Sequence, residues 1–84
     1  MNQKESKLLT DHYHALSKQA GQSWQAGNFQ EAAKLYQHES TTRQVVTNMH
    51  HQAGIPDKGN HNKAIVYSAT LALMAGIEAK NKKS

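Results

Sequence analysis

The stretch Trp24-Gln-Ala-Gly-Asn-Phe-Gln-Glu-Ala-Ala-Lys-Leu-Tyr36 decides the fold of this chain. Gly27-Asn28 is a turn signal, because glycine takes the left-handed conformation that ends a helix and asparagine can cap the next one. Apolar and small residues recur at helical spacing on both sides of this turn: Leu9, Tyr13, Leu16, Ala20 and Trp24 before it, and Phe29, Ala32, Ala33 and Tyr36 after it. The stretch therefore predicts a tight helix–turn–helix hairpin.

The composition indicates a small, basic, helical protein. The chain has 84 residues, one proline, no cysteine and a formal net charge of +4. A core of this size is marginal and often gains stability from a partner. A chain without cysteine forms no disulfide and no zinc–thiolate site, which fits a reducing, cytoplasmic location. The longest apolar run, residues 64–77, is too short to span a bilayer, and the first residues lead into a polar helix rather than an apolar signal sequence.

The pattern predicts an all-α fold, a small antiparallel three-helix bundle that forms one domain over residues 1–84. The expected helices cover about residues 3–26, 29–52 and 62–80, with a loop at 53–61 and a solvated basic tail at 80–84. Residues 37–44 of the second helix contain no aliphatic or aromatic side chain, and we call them the polar waist. One interpretation is a continuous helix, since neither glycine nor proline interrupts it. The other is a split near residue 40, with Thr41 and Gln44 as a capping box and four helices in all.

The last helix is apolar all round, which is unusual for a chain this short. Its larger apolar residues cover one broad face of a helical wheel: Ile65, Val66, Leu71, Leu73, Met74 and Ile77. Small residues cover most of the rest: Ser68, Ala72, Ala75, Gly76 and Ala79. Such a helix is normally buried on all sides, and two partner helices cover only about half of it. One interpretation is a core helix whose weakly apolar, alanine-rich side is exposed to water. The other is that one side of the helix is a binding interface.

These observations predict a small, non-enzymatic protein-binding module, such as an adaptor, a chaperone-like partner or an inhibitor. The partner would be another protein or a second copy of the chain, with no cofactor, metal, membrane or small molecule. The candidate contact residues lie on the last helix and on the polar waist: Tyr67, Leu71, Met74, Glu78, His38, Thr42 and Arg43. Methionine and tyrosine suit an adaptable contact surface.

Other chemistries have less support in the sequence. No G-x-S-x-G motif and no H-E-x-x-H motif is present, so nothing indicates a nucleophilic or zinc enzyme. A metal site built from His50 or His51 with His61 and Asp57 is not favoured, because adjacent histidines on a helix diverge. The alternative function is a nucleic-acid-binding helical regulator that uses Arg43 and scattered lysines. A single arginine and the lack of a dense lysine stripe speak against it.

The hairpin resembles a tetratricopeptide repeat. Its residues stand at the large, small, glycine, aromatic, alanine and aromatic signature positions of that repeat: Leu16, Ala20, Gly27, Phe29, Ala32 and Tyr36. Two positions depart from the pattern, with Ser23 in place of an aromatic residue and Glu39 in place of a small one, and no helix-ending proline follows. The whole chain also resembles a microtubule-interacting-and-trafficking domain, a three-helix bundle whose second helix opens much like residues 27–36. Both resemblances imply a helical module that binds another polypeptide.

Overall fold

The computed structural model describes residues 3–54 and 61–83, which form three α-helices. They are α1 (Gln3–Gln25), α2 (Phe29–Gln52) and α3 (His61–Lys83). The all-α three-helix fold is therefore confirmed, and the four-helix alternative is wrong because α2 runs through the polar waist without a break. Part of the predicted loop, residues 55–60, lies outside the described residues.

The helices form an elongated, flat bundle with α2 in the middle. Both α1 and α3 pack on α2, whereas α1 and α3 barely contact each other. The Cα atoms span about 48 × 20 × 14 Å. Because α1 and α3 lie on either side of α2, a shallow groove runs between them above the central helix, and each outer helix keeps one edge uncovered by the rest of the chain.

The α1–α2 turn has the geometry that Gly27 predicts. Its φ is +81°, in the left-handed region. The amide of Gly27 donates to the Trp24 carbonyl at 3.0 Å and the amide of Asn28 donates to the Ser23 carbonyl at 2.8 Å, which is the Schellman pattern of helix termination. Asn28 occupies the N-cap position of α2, but its side chain makes no capping hydrogen bond, contrary to expectation.

The core is narrow and rich in alanine, which lets the helices approach closely. Its central cluster joins all three helices and has five buried members: Ala20, Ala32, Tyr36, Ala72 and Ala75. Trp24 is half-buried beside this cluster, with ring-centroid distances of 5.6 Å to Phe29 and 6.4 Å to Tyr36. The three aromatic side chains thus close the hairpin at the end nearest its turn.

The carboxyl end of α3 is helical and contacts the α1–α2 turn. The helix continues to Lys83, three residues beyond its predicted end at residue 80, and residues 80–82 are exposed. The Lys82 ammonium donates to the Gly27 carbonyl at 2.9 Å and lies 5.6 Å from the centre of the Phe29 ring. This contact ties the end of α3 to the α1–α2 turn, and a carbonyl at a helix end is a favourable partner for a cation.

Two glycines provide a matched test of the turn. We expect Gly27→Ala to lower the free energy of unfolding by about 1 kcal/mol, because alanine is strained at a positive φ. We expect Gly76→Ala to raise it by about 0.8 kcal/mol, because Gly76 lies inside α3 with no atom near an added Cβ. Urea denaturation of the two variants beside wild type measures both changes. Changes of the same sign would contradict the role given to Gly27.

Candidate functional site

The side of α3 that faces α2 is lined by small residues. Ala75 is fully buried, and Ser68 and Ala72 are 3% and 8% exposed. The interpretation of α3 as a core helix with its alanine side in water is therefore wrong, because the alanine side is the buried one. Small side chains are favoured here since they let the two helix backbones come close. Several larger apolar side chains, Val66, Leu73 and Ile77, are left on the opposite side.

A mostly apolar strip, with Thr70 as its one polar member, runs along the uncovered edge of α3, and we call it the outer stripe. It consists of Val66, Thr70, Leu73 and Ile77, with Tyr67 and Met74 on one flank. Exposed fractions are 64% for Val66, 70% for Leu73 and 58% for Ile77. At a rise of about 1.5 Å per residue, the stripe is about 17 Å long. Single exposed apolar residues are common on protein surfaces, but a contiguous row is typical of an interaction site.

The structure separates the sequence-predicted contact residues into different environments. Tyr67, Met74 and Glu78 are exposed on α3, as the prediction requires. Leu71 is half-buried and packs against the core cluster. Thr42 is only 7% exposed, and its hydroxyl donates to the His38 carbonyl at 2.9 Å. The prediction that Thr42 belongs to a contact surface is therefore wrong. His38 is exposed, with its ring centre 5.4 Å from that of His12 on α1.

The predicted residues that do come together lie in the groove between α1 and α3. Tyr67 and Leu71 from α3 face Trp24 from α1 across a floor that includes Tyr36 and Arg43. The groove has a volume of about 530 Å³. Met74 and Tyr67 flank the outer stripe on one side, and Tyr67 also lines the groove, so the two features adjoin.

A buried polar cluster lies beneath the groove, in the polar waist that the sequence places at the surface. The Glu39 carboxylate, 3% exposed, accepts hydrogen bonds from Ser68 Oγ and Arg43 Nε, both at 2.7 Å. The Arg43 guanidinium lies 4.1 Å from the centre of the Tyr13 ring, a cation–π contact. Nearby, Ser40 Oγ donates to the Ile65 carbonyl at 3.1 Å. The cluster thereby joins α1, α2 and α3 through satisfied polar groups. No sequence pattern indicates that Glu39 and Ser68 are partners, because they lie 29 residues apart on different helices.

The pKa of the Tyr36 hydroxyl, in the same region, is raised. Burial raises the pKa of its hydroxyl above the ordinary value of 10.0, and the charges of Glu39 and Tyr67 raise the pKa further. The folded state therefore holds the Tyr36 proton more tightly than the unfolded state. This contribution to stability is complete below pH 10 and is lost as the pH rises through the folded-state pKa.

We therefore expect the free energy of unfolding to fall as the pH rises above 10, and to fall less steeply in Tyr36→Phe. The phenylalanine ring keeps most of the packing but has no proton to lose. Thermal unfolding followed by circular dichroism between pH 8 and 11 measures the two slopes. The same alkaline slope in both proteins would assign the loss of stability to other groups.

No cluster of metal ligands and no membrane-spanning helix occurs within the described part of the chain. Among residues 3–54 and 61–83, no group of three histidine, aspartate or glutamate side chains is placed to hold a metal ion. The candidate ligand Asp57 and the side chain of His61 lie outside the described residues. None of the described helices has the length and apolar character needed to cross a bilayer.

Comparison with known protein families, with curated proteins and with solved structures gave no match to this chain. The resemblances to a tetratricopeptide repeat and to a microtubule-interacting-and-trafficking domain thus rest on the hairpin residues alone.

Proposed function

We propose that this protein is a small, non-enzymatic binding module that holds another polypeptide against the outer stripe of α3. One observation carries the proposal: α3 buries Ser68, Ala72 and Ala75 and leaves the larger apolar residues Val66, Leu73 and Ile77 exposed in a row. An exposed apolar row favours a partner, because covering it removes apolar surface from water at about 25 cal/mol per Å². Adaptor, chaperone-like and inhibitory roles all use such a surface, and a reducing, cytoplasmic location belongs to the same proposal.

Packing of α3 on α2 sets which face of α3 is exposed, but it does not require that face to carry large apolar residues. Leu73 has more apolar surface to bury than Ala75, yet Leu73 is 70% exposed and Ala75 is fully buried. Rotating α3 to bury its large face would force bulky side chains into a crossing now filled by alanine and serine. The close approach of α2 and α3 thus determines which face of α3 is exposed to solvent. Binding of a partner protein would bury that exposed apolar face.

The nucleic-acid alternative has less support. Its main residue, Arg43, has a side chain only 15% exposed and is paired with Glu39 at 2.7 Å. The same guanidinium lies over the Tyr13 ring. A base contact by Arg43 would have to break these interactions inside the bundle. The lysines are left to supply phosphate contacts, which give affinity without sequence readout.

The test compares two leucines of nearly equal exposure. Leu73 lies in the outer stripe, and Leu8 is an isolated residue on α1 that is 72% exposed. We expect Leu73→Gln, alone and with Ile77→Gln, to remove self-association or partner binding. We expect Leu8→Gln to leave both unchanged. Each of these substitutions should change the free energy of unfolding by less than about 0.5 kcal/mol per site, as is usual on exposed surfaces.

Light scattering after size exclusion gives the mass of each variant, and affinity capture followed by mass spectrometry gives its bound proteins. We expect Leu73→Gln to lose an oligomer or a bound protein that Leu8→Gln retains. Equal binding by both variants would contradict the proposal. Unfolding of Leu73→Gln would contradict it differently, because the residue would then belong to the core.

A further inference from the structure

We infer that the occupant of the outer stripe is an amphipathic α-helix of a different protein, with acidic residues beside its apolar seam. The inference rests on the proposed function and adds the chemistry of the partner. Two independent features carry it: the spacing of the stripe residues, and the charges that stand at the two ends of the stripe.

The spacing and the closed backbone of α3 together favour a helical partner. Val66, Thr70, Leu73 and Ile77 follow one another at intervals of four, three and four residues, which is the a/d spacing of a coiled-coil seam. The backbone amides of α3 are used inside the helix, so α3 offers side chains only. An extended peptide lying on this row would bury backbone groups without partners. A helix satisfies its own backbone and buries only side chains there.

The charges at the ends of the stripe favour an acidic partner. Lys63 precedes Val66 by three residues and Lys80 follows Ile77 by three, so both lysines extend the same helix face, and both are exposed. The sequence of α3 contains four lysines and one glutamate. The glutamate, Glu78, lies four residues after Met74 on the groove flank rather than in line with the stripe. Carboxylates on a docked helix would therefore meet a lysine at each end.

The same charges disfavour a second copy of the chain as the occupant. Two α3 helices packed antiparallel along the stripe would bring Lys63 of one copy towards Lys80 of the other. Packed in parallel, each lysine would meet its own counterpart. Like charges across an interface oppose association, whereas opposite charges favour it and also speed the encounter. A different, acidic chain avoids the repulsion in either direction.

The experiment uses two fluorescein-labelled helical probe peptides with the same leucine seam. Glutamates flank the seam in one peptide and lysines flank it in the other. Anisotropy titration at 50 mM salt is expected to show about tenfold tighter binding of the glutamate peptide, and 500 mM salt should reduce this preference. The double variant Lys63→Glu/Lys80→Glu should reverse the preference. Leu73→Gln should abolish binding of both peptides, and Leu8→Gln should behave as wild type.

The possible results separate the inference from the proposed function. Equal binding of the two peptides, or no reversal in the lysine double variant, overturns the acidic partner and leaves the apolar interface standing. A stable dimer that Leu73→Gln dissociates also overturns the inference, because a second copy then covers the stripe. Absence of binding by either peptide, together with Leu73→Gln and Leu8→Gln variants that keep the same captured proteins and the same mass, overturns both.

Discussion

Replacing Ala75 with leucine is expected to lower the free energy of unfolding by about 2–3 kcal/mol. Ala75 is fully buried in the cluster between α2 and α3. Leucine and alanine are both good helix formers, so the change leaves the helix propensity of α3 almost unaltered. The added carbon atoms instead have no space in the crossing and must push α3 away from α2. Because leucine is the more apolar residue, hydrophobicity alone predicts the opposite sign.

Thermal and urea denaturation measure this effect, and we expect the melting temperature to fall by about 10–20 °C. The matched control is Ala15→Leu, the same chemical change at an exposed position of α1. It should alter the free energy of unfolding by less than about 0.5 kcal/mol. A neutral or stabilising Ala75→Leu would mean that α3 packs through another face. The packing argument for an exposed outer stripe, and with it the proposed function, would then be contradicted.

The hairpin was predictable because its information is local. A positive φ at Gly27 and close packing at Ala20 and Ala32 are each encoded by a residue that suits that geometry. The continuity of α2 was predictable on the same ground, since no residue within it breaks a helix. The end of α3 was not, because Lys82 is held by a carbonyl 55 residues away in the sequence.

The candidate site was harder to predict, since its burial depends on contacts between helices. From the sequence alone, a polar residue is expected at the protein surface. Glu39, Ser40 and Thr42 are nevertheless all buried. They are tolerated inside because hydrogen-bond partners reach them, two of which come from α3. Which face of α3 is buried was equally hard to predict from the sequence. Hydropathy favours burying its large residues, whereas the narrow spacing to α2 and the Glu39–Ser68 hydrogen bond favour burying its small ones.

Replacing Glu39 with alanine is expected to be more damaging still, at about 3–4 kcal/mol. The substitution removes the acceptor from Arg43 Nε and Ser68 Oγ, and leaves a cation in a mostly buried site. Glu39→Gln should cost less, because the amide oxygen still accepts one hydrogen bond. Ser68→Ala should cost about 1–2 kcal/mol, the usual effect of losing one buried hydrogen bond. Urea denaturation of the three variants orders these costs, and an order with Ser68→Ala worst would contradict the central place of Glu39.

The cluster has a further consequence for the orientation of α3. The side of α3 against α2 carries small residues, which allow close approach but do little to prevent rotation or sliding. The Glu39–Ser68 hydrogen bond is directional and therefore fixes which face of α3 points inward. The triple variant Glu39→Leu/Arg43→Met/Ser68→Ala replaces the whole cluster by apolar groups, which is often neutral or stabilising. We expect it to recover most of the stability lost in Glu39→Ala.

The same triple variant is expected to lose order in α3 although it stays folded. Its amide NMR signals in α3 should broaden, and hydrogen exchange there should become faster than in wild type. Sharp signals and unchanged protection would show that apolar packing alone sets the orientation. If the expected loss of order is found, the polar waist has a role beyond stability. By holding the alanine side of α3 against α2, it keeps Val66, Leu73 and Ile77 turned outward, where a partner can reach them.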